Sequence, residues 1–341
     1  MNKLILVTGG TGYIGSHTSV ELIEKGFDVV IIDNLSNSSI GVLDGIEKIT
    51  GTRPAFEQFD LCNREALWNF FRKYNGISAI IHFAAFKAVG ESVNKPLDYY
   101  ENNLLSLINL LRGMIEFRVP HMVFSSSCTV YGQPDVLPVT EKAPVKKAMS
   151  PYGNTKQISE EILEDSIHAN PYLKAISLRY FNPIGAHPSG LIGELPLGTP
   201  ANLVPYLTHV AAGIREELSV YGNDYPTPDG SAIRDYINVV DLSRAHVVAI
   251  QRLLENKQKK NFEIFNLGTG EGYTVLQLIR EFEKATGVKV KHKIVARRPG
   301  DIEKVWADTS FANTELGWKA EIALEDTLRS AWNWEKKYRA L

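Results

Sequence analysis

The feature that most constrains this chain is its opening. A short apolar run at residues 4–8 feeds directly into Gly9-Gly10-Thr11-Gly12-Tyr13-Ile14-Gly15, and a helical pattern follows at about 13–25. Strand, glycine turn and helix in that order leave the first helical amides facing outward with partial positive charge, where an anion can sit. Glycines are needed there because a Cβ would block the tight bend, the approach of a diphosphate, or the packing of helix on strand. Further runs at 29–33, 79–84 and 122–126 are rich in Ile, Val and Phe without polar alternation, as in parallel strands covered on both faces. Helical patterns lie at about 63–74 and 98–117, and another begins near Tyr152, with Ser150 as N-cap and Pro151 as first helical residue. The alternation predicts an α/β protein built on a doubly wound parallel sheet.

After a strand candidate at 175–180 the pattern loosens into Pro- and Gly-rich loops at 187–200 and 223–230, the kind of segment that more often builds a site than fills space. Helical patterns return at about 202–214, 240–255, 274–286 and 323–337, and the apolar run Phe262–Leu267 between two of them is expected to rejoin the first sheet. The 341 residues therefore read as a Rossmann-type unit over 1–180 and a smaller, mixed C-terminal substrate unit over 181–341, interleaved through about 234–270.

Composition removes several classes. A chain with 44% hydrophobic and 22% charged residues is an ordinary folded protein. A net charge of −2 gives no electrostatic footprint for nucleic acid or an anionic membrane. No stretch approaches the about 18 apolar residues of a membrane span, and the opening run is too short for the core of a signal peptide. With only Cys62 and Cys128, neither a disulfide scaffold nor a cysteine-rich zinc site is expected, and the cytoplasm fits best. His17, His82 and His187 follow no metal-ligand spacing, so no metal is expected; residues 257–260 read as a solvated loop.

Asp33 closes the second strand roughly 20 residues after the turn, where a carboxylate bonds the adenosine ribose and repels a 2′-phosphate. It also reads as a loop carboxylate or cap. No arginine stands beside it, which favours NAD over NADP. Tyr152-Gly153-Asn154-Thr155-Lys156 puts a phenol and an ammonium on one helix face. A tyrosine with its ordinary pKa of about 10 is mostly protonated at neutral pH, so use as a base needs a shift of about 3 units, or roughly 4 kcal/mol. The Lys156 ammonium and a positive nicotinamide would both favour the phenolate. The hydroxyls of Ser125-Ser126-Ser127 end a predicted strand, where ligands of doubly wound sheets gather. Ser125 and Ser126 read as turn-forming residues, and Cys128 as a small buried residue without a histidine partner.

The glycine spacing at 9, 12 and 15 resembles the extended branch of the short-chain dehydrogenase/reductase superfamily. Read with Lys87-Ala88-Val89-Gly90-Glu91-Ser92, the segment 125–132, Tyr152 to Lys156, Arg179-Tyr180-Phe181-Asn182-Pro183, Gly222-Asn223-Asp224-Tyr225-Pro226-Thr227, Arg234-Asp235-Tyr236-Ile237 and Arg297-Arg298-Pro299-Gly300-Asp301, essentially the whole chain resembles the UDP-glucose 4-epimerase family. The resemblance implies bound NAD and a catalytic trio of Ser127, Tyr152 and Lys156. It implies cofactor contacts at Gly9, Gly12, Tyr13, Ile14, Gly15, Asp33, Asn34, Asn37, Ser38, Asp60, Leu61, Phe83, Ala84, Lys87, Asn102, Tyr152 and Lys156. It implies UDP-sugar contacts at Lys87, Ser127, Tyr152, Asn182, Asn202, Leu203, Tyr236, Asp301 and Val305, with Tyr221 against the uracil.

Arg234 and Arg298 suit a diphosphate by their bidentate guanidinium, although pairing with Asp235 and Asp301 is the plainer use. The implied reaction inverts carbon 4 of a UDP-hexose through a transient 4-keto sugar. A valine at 305 would leave room for an N-acetyl group unless it simply packs in a core, so UDP-N-acetylglucosamine and UDP-N-acetylgalactosamine are further candidates. The family also implies a homodimer through the helices at about 98–117 and 152–169, and Leu104, Leu105, Ile108 and Leu111 would supply its apolar surface. Two other readings stand beside this one. A sugar-nucleotide 4,6-dehydratase would need an Asp-Glu pair where this chain has Cys128-Thr129, and a non-catalytic dinucleotide sensor would need none of the trio.

Overall fold

A computed structural model describes residues 3–298 and 301–340; Met1, Asn2 and the Pro299-Gly300 part of the arginine-rich motif lie outside the described residues. The first half runs β1 (Leu4–Thr8), α1 (Tyr13–Glu24), β2 (Asp28–Asp33), α2 (Val42–Thr50), β3 (Ala55–Gln58), α3 (Arg64–Lys73), β4 (Ile77–His82), α4 (Val89–Asn94), α5 (Pro96–Glu116), β5 (His121–Ser127), a 3-10 turn at Cys128–Tyr131, α6 (Pro151–Ala169) and β6 (Lys174–Tyr180). It continues through β7 (Asn182–Ile184), α7 (Leu203–Ala211), β8 (Leu218–Tyr221), β9 (Ile233–Arg234), β10 (Tyr236–Asn238), α8 (Val239–Leu254), β11 (Phe262–Leu267), β12 (Tyr273–Thr274), α9 (Val275–Thr286), β13 (His292–Val295), β14 (Lys304–Val305) and α10 (Leu324–Arg339).

Seven parallel strands form the central sheet in the order β11-β6-β5-β4-β1-β2-β3, so the winding reverses between β1 and β4. A crevice opens at the carboxyl ends of the strands at such a reversal. The apolar runs lack polar alternation because the two faces of the sheet are covered by different layers. Ile5, Val7, Ile31, Ile81, Val123 and Ile176 pack in the cluster that takes in α1 and α8, while Leu6, Val30, Ile32, Ile80, Met122 and Phe124 pack against α3, α5 and α6. Each such side chain is worth roughly 1.5–3 kcal/mol on full burial.

β11 lies on β6 in parallel register, and α8 packs on α1. The remaining strands make three small sheets: β10-β7, β12-β9-β14 and β13-β8. They frame a separate apolar cluster that includes Val204, Leu207, Leu278, Phe282 and Leu328.

Where sequence and structure part, the reason is local. β3 is the sheet edge, and its Ala-Phe-Glu-Gln sequence lacks the apolar run of a strand covered on both faces. Leu111 is buried against α3 and the sheet rather than offering surface, which corrects its assignment to a docking face; Leu105 is exposed, and Leu104 and Ile108 are half-buried.

Candidate active site

A cleft of about 860 Å³ runs along the carboxyl ends of the strands. It falls within the roughly 300–1,000 Å³ usual for small-molecule sites. One end is the glycine turn. Gly9 has φ +68°, and a Cβ there would meet the Ala84 amide nitrogen at 2.8 Å. The turn thus packs backbone to backbone on the loop after β4, leaving the start of α1 open to the cleft. Asp33, at the end of β2, accepts from the Thr11 amide at 3.2 Å, the Leu35 amide at 2.9 Å and the Ser38 hydroxyl at 3.1 Å. Its capping and site-lining readings therefore coexist. Asn34, Ser36, Asn37 and Ser38 surround it along the cleft, and Asn34 donates to Asp60 at 3.0 Å.

The other end is built by β5 and α6. Ser150 caps α6 by accepting from the Gly153 amide at 3.1 Å, with Pro151 as first helical residue, and this sets Tyr152 and Lys156 on the buried face. Ser127 ends β5, and its Oγ accepts from the Thr129 amide at 3.2 Å. Lys156 donates from Nζ to the Ser125 carbonyl at 2.6 Å and lies over the Phe124 ring at 4.9 Å. Burial lowers its pKa to about 8, partly offset by the negative charge of Glu160. Burial pushes Tyr152 well above the ordinary phenol range, reinforced by Tyr180 and opposed by a hydrogen bond with Ser127. Burial by itself therefore favours the neutral phenol of Tyr152, and the Lys156 hydrogen bond goes to the Ser125 carbonyl. Cys128 is buried and its thiol is pushed up to about 12.

The cleft brings together Gly9, Gly12, Tyr13, Ile14, Gly15, Asp33, Asn34, Asn37, Ser38, Asp60, Leu61, Phe83, Ala84, Lys87, Asn102, Ser127, Tyr152, Lys156, Asn182 and Asn202. It does not bring in Leu203, Tyr221, Arg234, Tyr236, Arg298, Asp301 or Val305. Most of these form an adjoining cluster. Tyr236 pairs in register with Asn182 of the cleft wall, and Val305 pairs with Arg234. Arg298 holds Asp301 through two bonds of 3.1 and 2.7 Å and lies 5.5 Å from the Tyr221 ring centre.

Arg234 bonds the Ile233 and Ile302 carbonyls at 2.8 and 2.7 Å, not Asp235, whose carboxylate is spent on the amides of Thr269, Gly270 and Ala307. Val305, 1% exposed, packs with Cys128, Val130, Tyr131 and Phe181. Of that cluster, Cys128 and Phe181 line the cleft and Val305 does not.

Sequence reading missed four residues. Asn103 fastens the loop after β4 to α6 by bonding the Phe86 amide and carbonyl and the Thr155 hydroxyl. Glu194 accepts from Lys87 at 3.1 Å and Asn202 at 2.6 Å, joining opposite sides of the cleft. Tyr180 shares a hydrogen bond with Ser125. Glu160 lies one turn beyond Lys156, and that four-residue spacing was the one signal for it in the sequence.

A family model described as GDP-mannose 4,6 dehydratase matches residues 6–331. The UDP-glucose 4-epimerase of Yersinia enterocolitica is 50% identical over 332 residues, 97% of each chain. The chain belongs to the UDP-glucose 4-epimerase family. A solved member from Bifidobacterium longum, in complex with NAD+ and UDP, superposes with a TM-score of 0.95 at 47% identity over 99% of both chains. The family member from Stenotrophomonas maltophila, with bound NAD and formylated UDP-arabinopyranose, gives 0.94 at 49% identity over the full length of both.

Among the described residues no helix is long and apolar enough to cross a membrane, and no group of three or more His, Cys, Asp or Glu could hold a metal ion.

Proposed function

We propose that this chain inverts carbon 4 of UDP-glucose and UDP-galactose, with NAD as its resident cofactor. The observation that carries the reading is the meeting in one cleft of a glycine turn that a Cβ would fill, Asp33 with no ion-pair partner among the described residues, and Tyr152, Lys156 and Ser127 at the far end. NAD fits these residues: Gly9, Gly12 and Gly15 would hold its diphosphate, Asp33 the adenosine ribose, Asp60 and Leu61 the adenine, and Lys156 the nicotinamide ribose. When bound, NAD supplies the hydride acceptor and donor at carbon 4 and a positive charge beside the phenol.

Tyr152 exchanges the proton of the carbon 4 hydroxyl, and Ser127 holds that oxygen. Lys156 supplies a fixed positive charge that favours loss of the phenolic proton. Asn182 and Asn202 orient the sugar nucleotide within the cleft, and Tyr221, Arg234, Arg298 and their neighbours anchor its uridine diphosphate next to it. Inversion requires that the sugar turn over while the nucleotide stays fixed. The cluster adjoining the cleft suits that division of labour.

The same reading assigns the dinucleotide to residues 1–180 and the sugar nucleotide to 181–341, with the segment around α8 and β11 returned to the first unit. It assigns the protein to the cytoplasm and to galactose metabolism, as a homodimer through α5 and α6. The exposed Leu97 and Leu105 on α5 support that docking face. The N-acetylated UDP-hexoses are further substrates, with Val305 setting their limit indirectly through Cys128 and Phe181.

A dehydratase lacks support in the residues after Ser127, where Cys128 and Thr129 offer no carboxylate. Purified protein given UDP-galactose, with no added coenzyme or reductant, is expected to form UDP-glucose; no turnover would defeat the reading.

A further inference from the structure

We propose that Glu160 is a positioning residue of this site, pinning α6 to β5 and β6 and setting a negative charge one helical turn from the Lys156 ammonium. The inference deepens the epimerase reading and rests on it for its kinetic consequence.

Glu160 and Lys156 are four residues apart on α6 and both are buried. At that spacing two side chains lie on one face of a helix as neighbours. The carboxylate is surrounded by donors from both strands beneath the helix. Ser126 of β5 donates to Oε1 at 2.6 Å, Ser177 of β6 at 2.7 Å, and Arg179 of β6 reaches both oxygens at 2.5 to 3.2 Å. Ser126 directly precedes Ser127, so the bond that holds α6 down also fixes the end of β5. The relative placement of Tyr152 and Ser127 thereby depends on Glu160, which touches neither.

The electrostatic part follows from what faces the two groups. Around Lys156 stand Tyr152 of its own helix, His82 of β4, and the Phe124 ring and Ser125 carbonyl of β5. Tyr180 of β6, Tyr99 of α5 and Cys128 face Tyr152. Burial lowers the pKa of His82 to about 3, so at neutral pH it is uncharged. Tyr99, Tyr180 and Cys128 are held protonated by burial. Around Glu160 stand Arg179 and, through it, the Tyr131 ring and Glu141. Among the described residues Glu160, itself paired with Arg179, is the anion that acts on the Lys156 ammonium, and Lys156 makes no ion pair there.

The test uses Glu160→Gln, Glu160→Asp and the neutral pair Glu160→Leu/Arg179→Met. A buried pair replaced whole by apolar residues keeps stability better than one broken by a single change. The first readout needs no turnover: the pH at which Lys156 becomes reactive toward an amine-acylating reagent, followed by mass spectrometry. Loss of the Glu160 charge is expected to move that pH down by about 1 unit or more in Glu160→Gln, where Arg179 is left unpaired, and by less in the Leu/Met variant, which removes one charge of each sign. Glu160→Asp should restore it.

The alkaline limb of kcat should move with it, with kcat down about tenfold or more and KM for UDP-galactose little changed. An unmoved Lys156 reactivity profile would overturn the proposal, whatever the activity. So would loss of fold in the neutral pair, which would give Glu160 a purely structural part. A wild-type protein that fails to turn over UDP-galactose would defeat the epimerase reading instead, and the labelling result would still stand.

Discussion

Replacing Gly15 by alanine tests the glycine turn where its geometry is least forgiving. The added Cβ would stand 2.8 Å from the Gly10 Cα and 3.0 Å from the Gly9 carbonyl carbon, and nearer still to the Gly9 oxygen. Ordinary van der Waals contact begins at 3.4 Å, so the shortfall exceeds half an ångström. Every neighbour concerned is backbone, and no side chain can swing aside. Either the turn or the start of α1 must move, and with it the amides proposed to face the diphosphate. A misplacement of about 1 Å in a positioning element costs on the order of 10²-fold, so turnover in Gly15→Ala should fall by roughly 10–10²-fold. The purified protein should also carry less NAD than wild type after gel filtration. Gly12→Ala is the graded control. Its Cβ would meet only the Gly9 oxygen, at 3.1 Å, which calls for a shift of a few tenths of an ångström and a smaller loss. Gly15→Ala protein with full NAD content and wild-type turnover would refute the packing argument.

Tyr152→Phe should keep its fold and NAD yet lose about 10²–10⁴-fold in rate, the usual value of general acid–base catalysis; near-normal turnover would remove Tyr152 from its role. The buried histidines predict acid lability. Burial lowers the pKa of His17 and His82 to about 3 and that of His246 to about 4. The unfolded chain therefore binds more protons below the ordinary value of 6.5, and the stability present above that pH is lost as pH falls toward 3. At about pH 4.5 the loss is roughly 2–3 kcal/mol per histidine, read by urea unfolding, and a flat profile over this interval would contradict it. Val305→Tyr forces a ring into a cluster where Val130, Tyr131 and Val139 are fully buried, so it should lower stability by roughly 1–3 kcal/mol or more. Through Cys128 and Phe181 it should also depress turnover of N-acetylated sugars more than of plain ones; equal effects on both would remove Val305 from substrate choice.

The sheet was legible because most of its strands are buried on both faces, which writes their runs as uninterrupted Val, Ile, Leu and Phe. β3 was written more faintly because it is the edge of the sheet and its residues are partly wet. The start of α6 could be read to the residue, since Ser150 and Pro151 act locally. Glu160 could not be read as part of the site, because its partners Ser126, Ser177 and Arg179 reach it from two strands that only the fold brings under α6. Val305 is the opposite case. Its motif was plain, but its burial among Cys128, Val130, Tyr131 and Phe181 was set by the tertiary fold.

The central claim is that the hydrogen at carbon 4 leaves as hydride and comes back to the opposite face of the same sugar. The most direct test is to convert UDP-galactose bearing deuterium at carbon 4 into UDP-glucose in ordinary water, with no coenzyme added, and to locate the label by NMR. The account predicts deuterium retained at carbon 4 of the inverted product. Washout of the label into solvent would contradict it, because the hydrogen would then have travelled as a proton.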